Sequence, residues 1–315
     1  MELIFNHLTE ETMTYEDYLL NVFYLIDSEL AALNLPPLRT RGPAPHLHDS
    51  EVITMELVGE FLGIDTDKGI WQYFRRHHCG EFPQLVQTDR TRFCRQAADL
   101  WHVKQLLQER MHQLLPLADP ACDGAAPLWL IDSFPLRVCR FKRAPRHKLF
   151  RGQAAFGRDP TGELLFFGFR VHLRCSEQGF CAAAALAPAN VPDGSLVAEL
   201  LPTEGPQAIG DRQYWNPDAQ AWLAQTTGLE LHAPFRKASR DPAPRRSAWL
   251  GRLRQIIEPV IGQLATRFHC QRTWARDLWH LCSRLARKLL SHTVAVLLNW
   301  RIGNPPLQLD FLITD

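Results

Sequence analysis

Apolar positions along the first 115 residues recur at helical spacing. Tyr18, Leu19, Val22, Phe23, Leu25 and Ile26 share one side of a helix that Pro36-Pro37 closes. Asp49 or Ser50 is a suitable N-cap for residues 50–63, in which Ile53, Leu57, Val58, Phe61 and Leu62 line up. A third helix starts near Asp89 and carries Phe93, Ala97, Leu100, Leu107, Met111 and Leu114. Short helices with polar turns make either a plain bundle or a helix-turn-helix DNA reader.

The pattern then changes. Residues 118–126 have the composition of a linker, and Leu128-Trp129-Leu130-Ile131 is an apolar run suited to a buried strand, cut off by Asp132 and Pro135. Leu164 to Cys175 and Phe180 to Leu186 read as two strands joined by a hairpin turn at Ser176-Glu177-Gln178-Gly179. A short helix over Leu196 to Leu201 precedes a clipped strand, Ala208-Ile209-Gly210, that runs into Asp211. Helix follows near Pro217 to Gln225, then a strand at Leu229 to His232. Two long amphipathic helices, 247–268 and 274–300, close the chain. This order predicts an α/β fold, with helices packed on a mixed sheet over residues 125–300. An all-helical segment, 1–117, precedes it and a tail, 301–315, follows.

Composition narrows the class. With 46% hydrophobic and 22% charged residues the chain is neither disordered nor collagen-like. The apolar run Val294 to Leu298 is far shorter than the ~20 residues a membrane span needs. Met1 to Asn6 has no basic stretch leading into an apolar core, so a cytoplasmic protein with no membrane partner is expected. The net charge of +1 hides a division: residues 1–124 hold 10 Lys+Arg and 19 Asp+Glu, a net of −9, which leaves +10 for the remainder. The basic part is a candidate for binding a polyanion, unless the two parts attract each other or a second subunit. Eight cysteines without a CxxC pair suit buried free thiols better than disulfides or zinc. His46 and His48, beside Asp49 and after Pro43 and Pro45, suit a loop and a helix entry better than metal ligation.

Three carboxylates sit where a carboxylate is costly. Asp132 ends Leu-Trp-Leu-Ile, Asp211 ends Ala-Ile-Gly, and Glu258 lies within Ile256-Ile257-Glu258-Pro259-Val260-Ile261. If the two strands are neighbours, both aspartates emerge at one sheet edge, within reach of a glutamate on the closing helix. Such a cluster suits hard divalent cations; the plain alternative is ion pairing with cations such as Arg212 and Arg254. Basic residues are dense on both sides. Arg137, Arg140, Lys142, Arg143, Arg146, Lys148, Arg151 and Arg158 follow Asp132. Arg236, Lys237, Arg240, Arg245, Arg246, Arg252 and Arg254 precede Glu258. Phosphate contacts explain such runs beside an acidic metal site. Tyr214 and Trp215 either stack on an unpaired base or pack the start of the next helix, and packing is favoured. His172 reads as a strand residue with a satisfied ring.

Ile131-Asp132-Ser133-Phe134-Pro135, Gly168-Phe169-Arg170-Val171-His172, Gly210-Asp211-Arg212-Gln213-Tyr214 and Arg254-x-x-x-Glu258 occur in a telling order. Together they resemble the bacterial insertion-sequence transposases with an Asp-Asp-Glu triad, and with the helical segment around Asp49 to Thr54 they look most like the Insertion Sequence 982 family. Spacings of 79 residues from Asp132 to Asp211 and 47 to Glu258 suit that class. The resemblance spans about residues 15 to 300 and implies an RNase H-like catalytic domain, with Asp132 on its first strand, Asp211 after its fourth and Glu258 on the helix after its fifth. It implies two Mg²⁺ (or Mn²⁺) ions on Asp132, Asp211 and Glu258, cutting DNA at element ends and joining it to target DNA. The implied partners are terminal inverted repeats, target DNA and further copies of the chain, as a homodimer or higher oligomer. DNA contacts fall to Arg137, Arg140, Lys142, Arg143, Lys148, Arg151, Arg212, Arg236, Lys237, Arg245, Arg246 and Arg254. Related transposases often carry Tyr-x-x-Arg-x-x-x-Glu-x6-Lys; here Gly251 and Ala265 stand at the Tyr and Lys positions, and Arg254 matches. A metal-dependent nuclease on the same scaffold, or a DNA-binding protein without turnover, are the alternatives.

Overall fold

A computed structural model describes residues 12–39, 41–114, 128–159, 164–201 and 207–314. The helical and strand elements come in this order: α1 (Tyr15–Leu33), α2 (Asp49–Phe61), α3 (Asp67–His77), α4 (Arg90–Asp99), α5 (Trp101–Gln113), β1 (Leu128–Arg140), β2 (Ala155–Asp159), β3 (Leu164–Ser176) and β4 (Cys181–Pro188). Then follow α6 (Val197–Leu200), β5 (Gln207–Ile209), α7 (Pro217–Thr227), β6 (Glu230–His232), α8 (Pro244–Arg254), α9 (Ile257–Thr266) and α10 (Leu278–Arg301). The chain divides into two units, one of residues Met1–Gln113 with Leu264–Asp315, the other of Leu114–Gln263.

The first unit is built from helices. Tyr18, Val22 and Ile26 bury one stripe of α1, and Val52, Ile53, Leu57 and Val58 bury much of α2. The N-cap of α2 is His48, one residue before the expected Asp49 or Ser50, because the Glu51 carboxylate accepts the His48 backbone N–H at 2.6 Å. The helix expected from Asp89 divides at Leu100 into α4 and α5. Helix α3 gave little sign of itself, since it buries only Asp67, Ile70 and Phe74 among polar neighbours. The unit also claims chain that the sequence had suggested for the sheet domain and its tail. Residues 264–315 group with the N-terminal helices because α10 packs on α2, α4 and α5, and Met13 bridges to Ile313. The expected linker 118–126 lies outside the described residues.

The second unit centres on a six-stranded sheet of order β2-β3-β1-β5-β6, with β4 also on β3. β3 pairs antiparallel with β1, and its other edge is shared by β2 along its first half and β4 along its second. β5 runs parallel to both β1 and β6. Trp129 and Ile131, Ala208, Leu231 and the α7 residue Leu223 form one buried apolar cluster. Strand β1 does not stop at Asp132 and Pro135, as the apolar run alone suggested. It pairs onward with β3, Pro135 opposite Arg170, while β5 reaches only to Leu130. Beyond Leu130, among the described residues, β1 pairs on one side only, as an edge where proline is tolerated. The turn between β3 and β4 uses Gly179 at φ +87°, a conformation glycine adopts without strain. The expected helix 247–268 is two helices, α8 and α9. Pro259 falls in the first turn of α9, where its missing donor costs nothing, and the new segment starts at Ile257, just before Glu258.

Candidate active site

The strand register explains why two distant aspartates meet. Leu130 of β1 pairs in parallel with Ile209 of β5, so Asp132 and Asp211 each lie two residues beyond the same rung. Trp129 and Ile131 turn into the apolar cluster, which sends Asp132 to the opposite face. Its Oδ1 accepts the Ser133 backbone N–H at 2.8 Å. Asp211 caps a short 3-10 turn, Arg212–Tyr214, with Oδ1 accepting the Gln213 N–H at 2.8 Å. Gly210 makes this close turn possible: a Cβ there would stand 2.8 Å from the Tyr214 ring.

A third aspartate, missed in the sequence, joins them. Asp193 begins a 3-10 turn, is buried, and its Oδ2 accepts the Ser133 hydroxyl at 2.8 Å. Arg170, inside the apolar strand β3, donates from Nη1 to Ser133 Oγ at 3.1 Å and stands 3.9 Å from Asp193. A buried arginine amid Phe169, Val171 and Leu173 was the available signal, because such a charge needs a carboxylate nearby. Pro192-Asp193-Gly194 itself reads as an ordinary turn.

The electrostatics are those of an undercompensated acidic site. Burial, reinforced by Asp211 and Asp193, pushes the Asp132 carboxyl up to about 6 against the opposing pull of Arg254 and the Ser133 N–H. Burial likewise raises Asp211 and Asp193. Arg254 Nη1 donates to Asp132 Oδ2, and its Nη2 lies 3.5 Å from Glu258 Oε1. One guanidinium thus joins the first and third expected acids. Glu258 is exposed on α9 and reaches the site through Arg254; it does not make a direct three-carboxylate cluster with the aspartates. Among the described residues no three His, Cys, Asp or Glu side chains are arranged to hold a metal. The donor set still fits a hard cation: two half-buried carboxylates at one sheet edge, both raised.

The other expected residues separate into groups. Tyr214 is buried, with its hydroxyl 3.4 Å from His172 Nδ1, and its ring cannot stack on a base. Burial lowers His172 to about 4, so it is neutral near pH 7. Trp215 is half-buried against the apolar cluster, 4.9 Å from the Phe235 ring. Arg137 is tied to Asp159 at 2.7 Å, Arg246 contacts the His232 ring at 3.2 Å, and Arg151 donates to the His147 carbonyl at 3.2 Å. Arg140, Lys142, Arg143, Lys148, Arg212, Arg236, Lys237 and Arg245 are exposed. The described cysteines are free thiols, of which Cys175, Cys181 and Cys270 are buried and the other four half-buried. His48 serves as the α2 helix entry.

Exposed cations flank this acid-centred edge of the mixed sheet. Residues 122–278 match the family described as the transposase DDE domain, and this supports a DDE-type transposase that acts on DNA. No curated protein and no solved structure gives a significant match. No helix among the described residues is long and apolar enough to cross a membrane.

Proposed function

We propose that the chain is a transposase of the Insertion Sequence 982 type, cleaving DNA at the element's ends and joining the freed 3′-hydroxyl to target DNA. The observation that carries this reading is the shared rung of Asp132 and Asp211, with both carboxyls raised by burial and Arg254 bridging to Glu258. The order β4-β3-β1-β5-β6, antiparallel on one side of β1 and parallel on the other, supports an RNase H-like domain. Asp132, Asp211 and Glu258 would hold two Mg²⁺ or Mn²⁺ ions. When bound, these supply Lewis-acid charge at the scissile phosphate and lower the pKa of the attacking water.

The chain's own residues perform the rest. Ser133, held between Arg170 and Asp193, fixes the backbone that orients Asp132. Arg254 neutralises Asp132 and Glu258 and, where it turns from them, would meet a DNA phosphate. The exposed Lys and Arg side chains hold the backbone without reading sequence. The enzyme works in the cytoplasm as a homodimer or higher oligomer on DNA, with the helical unit available for element-end contacts. Incubating the protein with Mg²⁺ and duplexes that carry the gene's flanking sequence tests the reading. Nicking followed by joining to a second duplex is the expected outcome. Nicking without joining identifies a nuclease, and binding without either identifies a DNA-binding protein.

A further inference from the structure

The hairpin of β3 and β4 brings two thiols face to face. Cys175 and Cys181 are direct partners across the antiparallel ladder, with residues 176–180 as the turn between them. Ser176 N–H donates to the Phe180 carbonyl at 2.9 Å, so Ser176 and Phe180 hold a hydrogen-bonded position. The next pair, Cys175 and Cys181, is therefore a non-hydrogen-bonded one, where side chains stand closest. Cα atoms at such a position are ~4.5 Å apart, inside the ~4.4–6.8 Å that a disulfide spans. The two thiols share a hydrogen bond, and Cys175 and Cys181 are only 0% and 1% exposed. Cys139, the other cysteine of the described strands, faces Phe167 instead. Cys175 also lies on the face of the sheet that carries Asp132. It sits opposite Leu130, two residues before Asp132, and Leu173 is opposite Asp132 itself.

We propose that Cys175 and Cys181 are an oxidisable pair that peroxide closes into a reversible disulfide, and that closure slows chemistry at the Asp132 edge. One thiol takes an oxygen from hydrogen peroxide, giving a sulfenic acid and one water. The sulfur of the other thiol then displaces the hydroxyl, giving the S–S bond and a second water. Two electrons pass from the sulfurs to the peroxide, and both thiol protons leave in the waters. A dithiol reductant reverses the step by exchange. The Cys181 hydrogen bond and burial push the Cys175 thiol up, so thiolate is scarce and the pair reacts as the turn at exposed Glu177 opens. Resting as thiols and closing under oxidant is the behaviour of a sensing disulfide, not a structural one. Closure draws the Cβ atoms from ~4.5–5.5 Å to ~3.8 Å. The strand pulled is β3, which pairs with Asp132 through Leu173 and holds Ser133 through Arg170. A misplacement of ~1 Å in the support of a reacting group costs about 10²-fold in rate.

The slowing rests on the reading of the chain as a DNA-cleaving enzyme, and the test separates the two. The full chain is treated with hydrogen peroxide, alkylated and digested with trypsin, which releases residues 175–212 as one peptide. That peptide should escape alkylation at both cysteines, weigh about 2 Da less than its reduced form and regain both thiols in dithiothreitol. Mg²⁺-dependent nicking should fall by about tenfold or more on oxidation and recover with the reductant. Cys181→Ala matches the alanines that follow it at 182–185, so it should nick as the reduced wild type does and keep its rate in peroxide. Cys175→Ala should behave alike, and Cys139→Ala should stay as sensitive as the wild type. If both cysteines of peptide 175–212 are alkylated after oxidation, or go on to sulfinic acid, the pair forms no disulfide and the proposal is overturned. It is equally overturned if the disulfide forms with nicking unchanged, or if both alanine variants lose nicking in peroxide as the wild type does. If the reduced wild type nicks no DNA, it is the DNA-cleaving reading that fails, and the peptide mass still decides the disulfide.

Discussion

Both units bury carboxylates, and they balance the charge to different degrees. In the helical unit, Glu56, Glu60 and Asp67 meet Lys104, Arg284, Arg287 and Lys288, and almost every partner lies within hydrogen-bond reach. Lys104 donates to Glu56 at 2.7 Å and also to Ala97 O and Ser283 Oγ at 3.0 Å. Burial would raise Asp67, but Arg287 and Arg284 outweigh it and hold the carboxyl well below the usual range, whereas at Glu56 burial still outweighs Lys104 and Arg287 and raises the carboxyl. In the sheet unit, Asp132, Asp193 and Asp211 share Arg254 and Arg170, and burial wins at all three. A closed charge network ties α2, α3, α5 and α10 together. An open one keeps negative potential available for something not yet bound.

The largest effect that would test this contrast is on chemistry. Asp211→Asn keeps the shape and the cap on Gln213, yet removes charge from the open site. DNA nicking should fall by roughly three orders of magnitude or more, about 4 kcal/mol in activation free energy. DNA affinity without metal should be unchanged or slightly tighter, since a repulsive charge leaves the path of the phosphate. A structural ion pair predicts the reverse, lost stability with activity per folded molecule retained. Near wild-type nicking by Asp211→Asn would remove Asp211 from the site.

The closed network should respond to the opposite measurement. Arg287→Met leaves Glu60 and Asp67 short of a buried partner, so urea unfolding should show a loss of about 3–5 kcal/mol. Nicking per folded molecule should hold. If Arg287→Met unfolds at the wild-type urea midpoint, the network contributes no stability and the comparison between the units collapses.

What the sequence disclosed follows this same division. The apolar runs of β1, β3, β4, β5 and β6, the hairpin and the meeting of Asp132 with Asp211 were legible, because apolar runs interrupted by an acid leave few placements, whereas β2 (Ala155–Asp159) was not read. Asp193 was not legible, since its neighbours Pro192 and Gly194 spell a turn and its role depends on Ser133 and Arg170 from two other strands. The domain boundary was also hidden. Helix α10 looked like a closing helix of the sheet domain, and only the pairing of Lys288 with Glu60 and Arg287 with Asp67 shows which elements it serves. Arg254 was identified as a contact residue, but its hold on Asp132 is a matter of three-dimensional reach from α8 to β1.

A pH titration of stability sharpens the comparison with signs alone. The folded carboxyl of Asp132 sits at about 6, above the ~3.9 of an unfolded chain, so the folded state binds its proton more tightly. The penalty is absent below about pH 4, grows through pH 6 and is constant above. Asp132→Asn should therefore match the wild type in acid and gain stability towards neutrality, by up to roughly 3 kcal/mol, a figure that already includes the pull of Arg254. Asp67 is depressed, so its contribution is present above the unfolded value and lost as the pH falls. Asp67→Asn should destabilise at pH 7, with the deficit shrinking in acid. Differences of the same sign for both variants across this range would show that the two units do not treat buried charge differently.

The smallest effect concerns which cations are free to meet DNA. Arg137 and Lys142 belong to one basic run, but Arg137 is held by Asp159 at 2.7 Å while Lys142 is exposed with no carboxylate partner among the described residues. A cation that releases a counterion on meeting a phosphate contributes about 0.9 to the slope of log affinity against log salt. A cation already paired within the protein releases almost none. Lys142→Ala should therefore lower the slope of duplex binding by nearly one and weaken binding evenly across sequences. Arg137→Ala should leave the slope where it was, because the charge it removes was balanced by Asp159 before any DNA arrived. Measuring affinity from about 50 to 200 mM salt for both variants separates the two cases. An equal fall in slope would mean that the Arg137–Asp159 pair opens on DNA, and that a closed pair in the sheet unit is as available as an open cation.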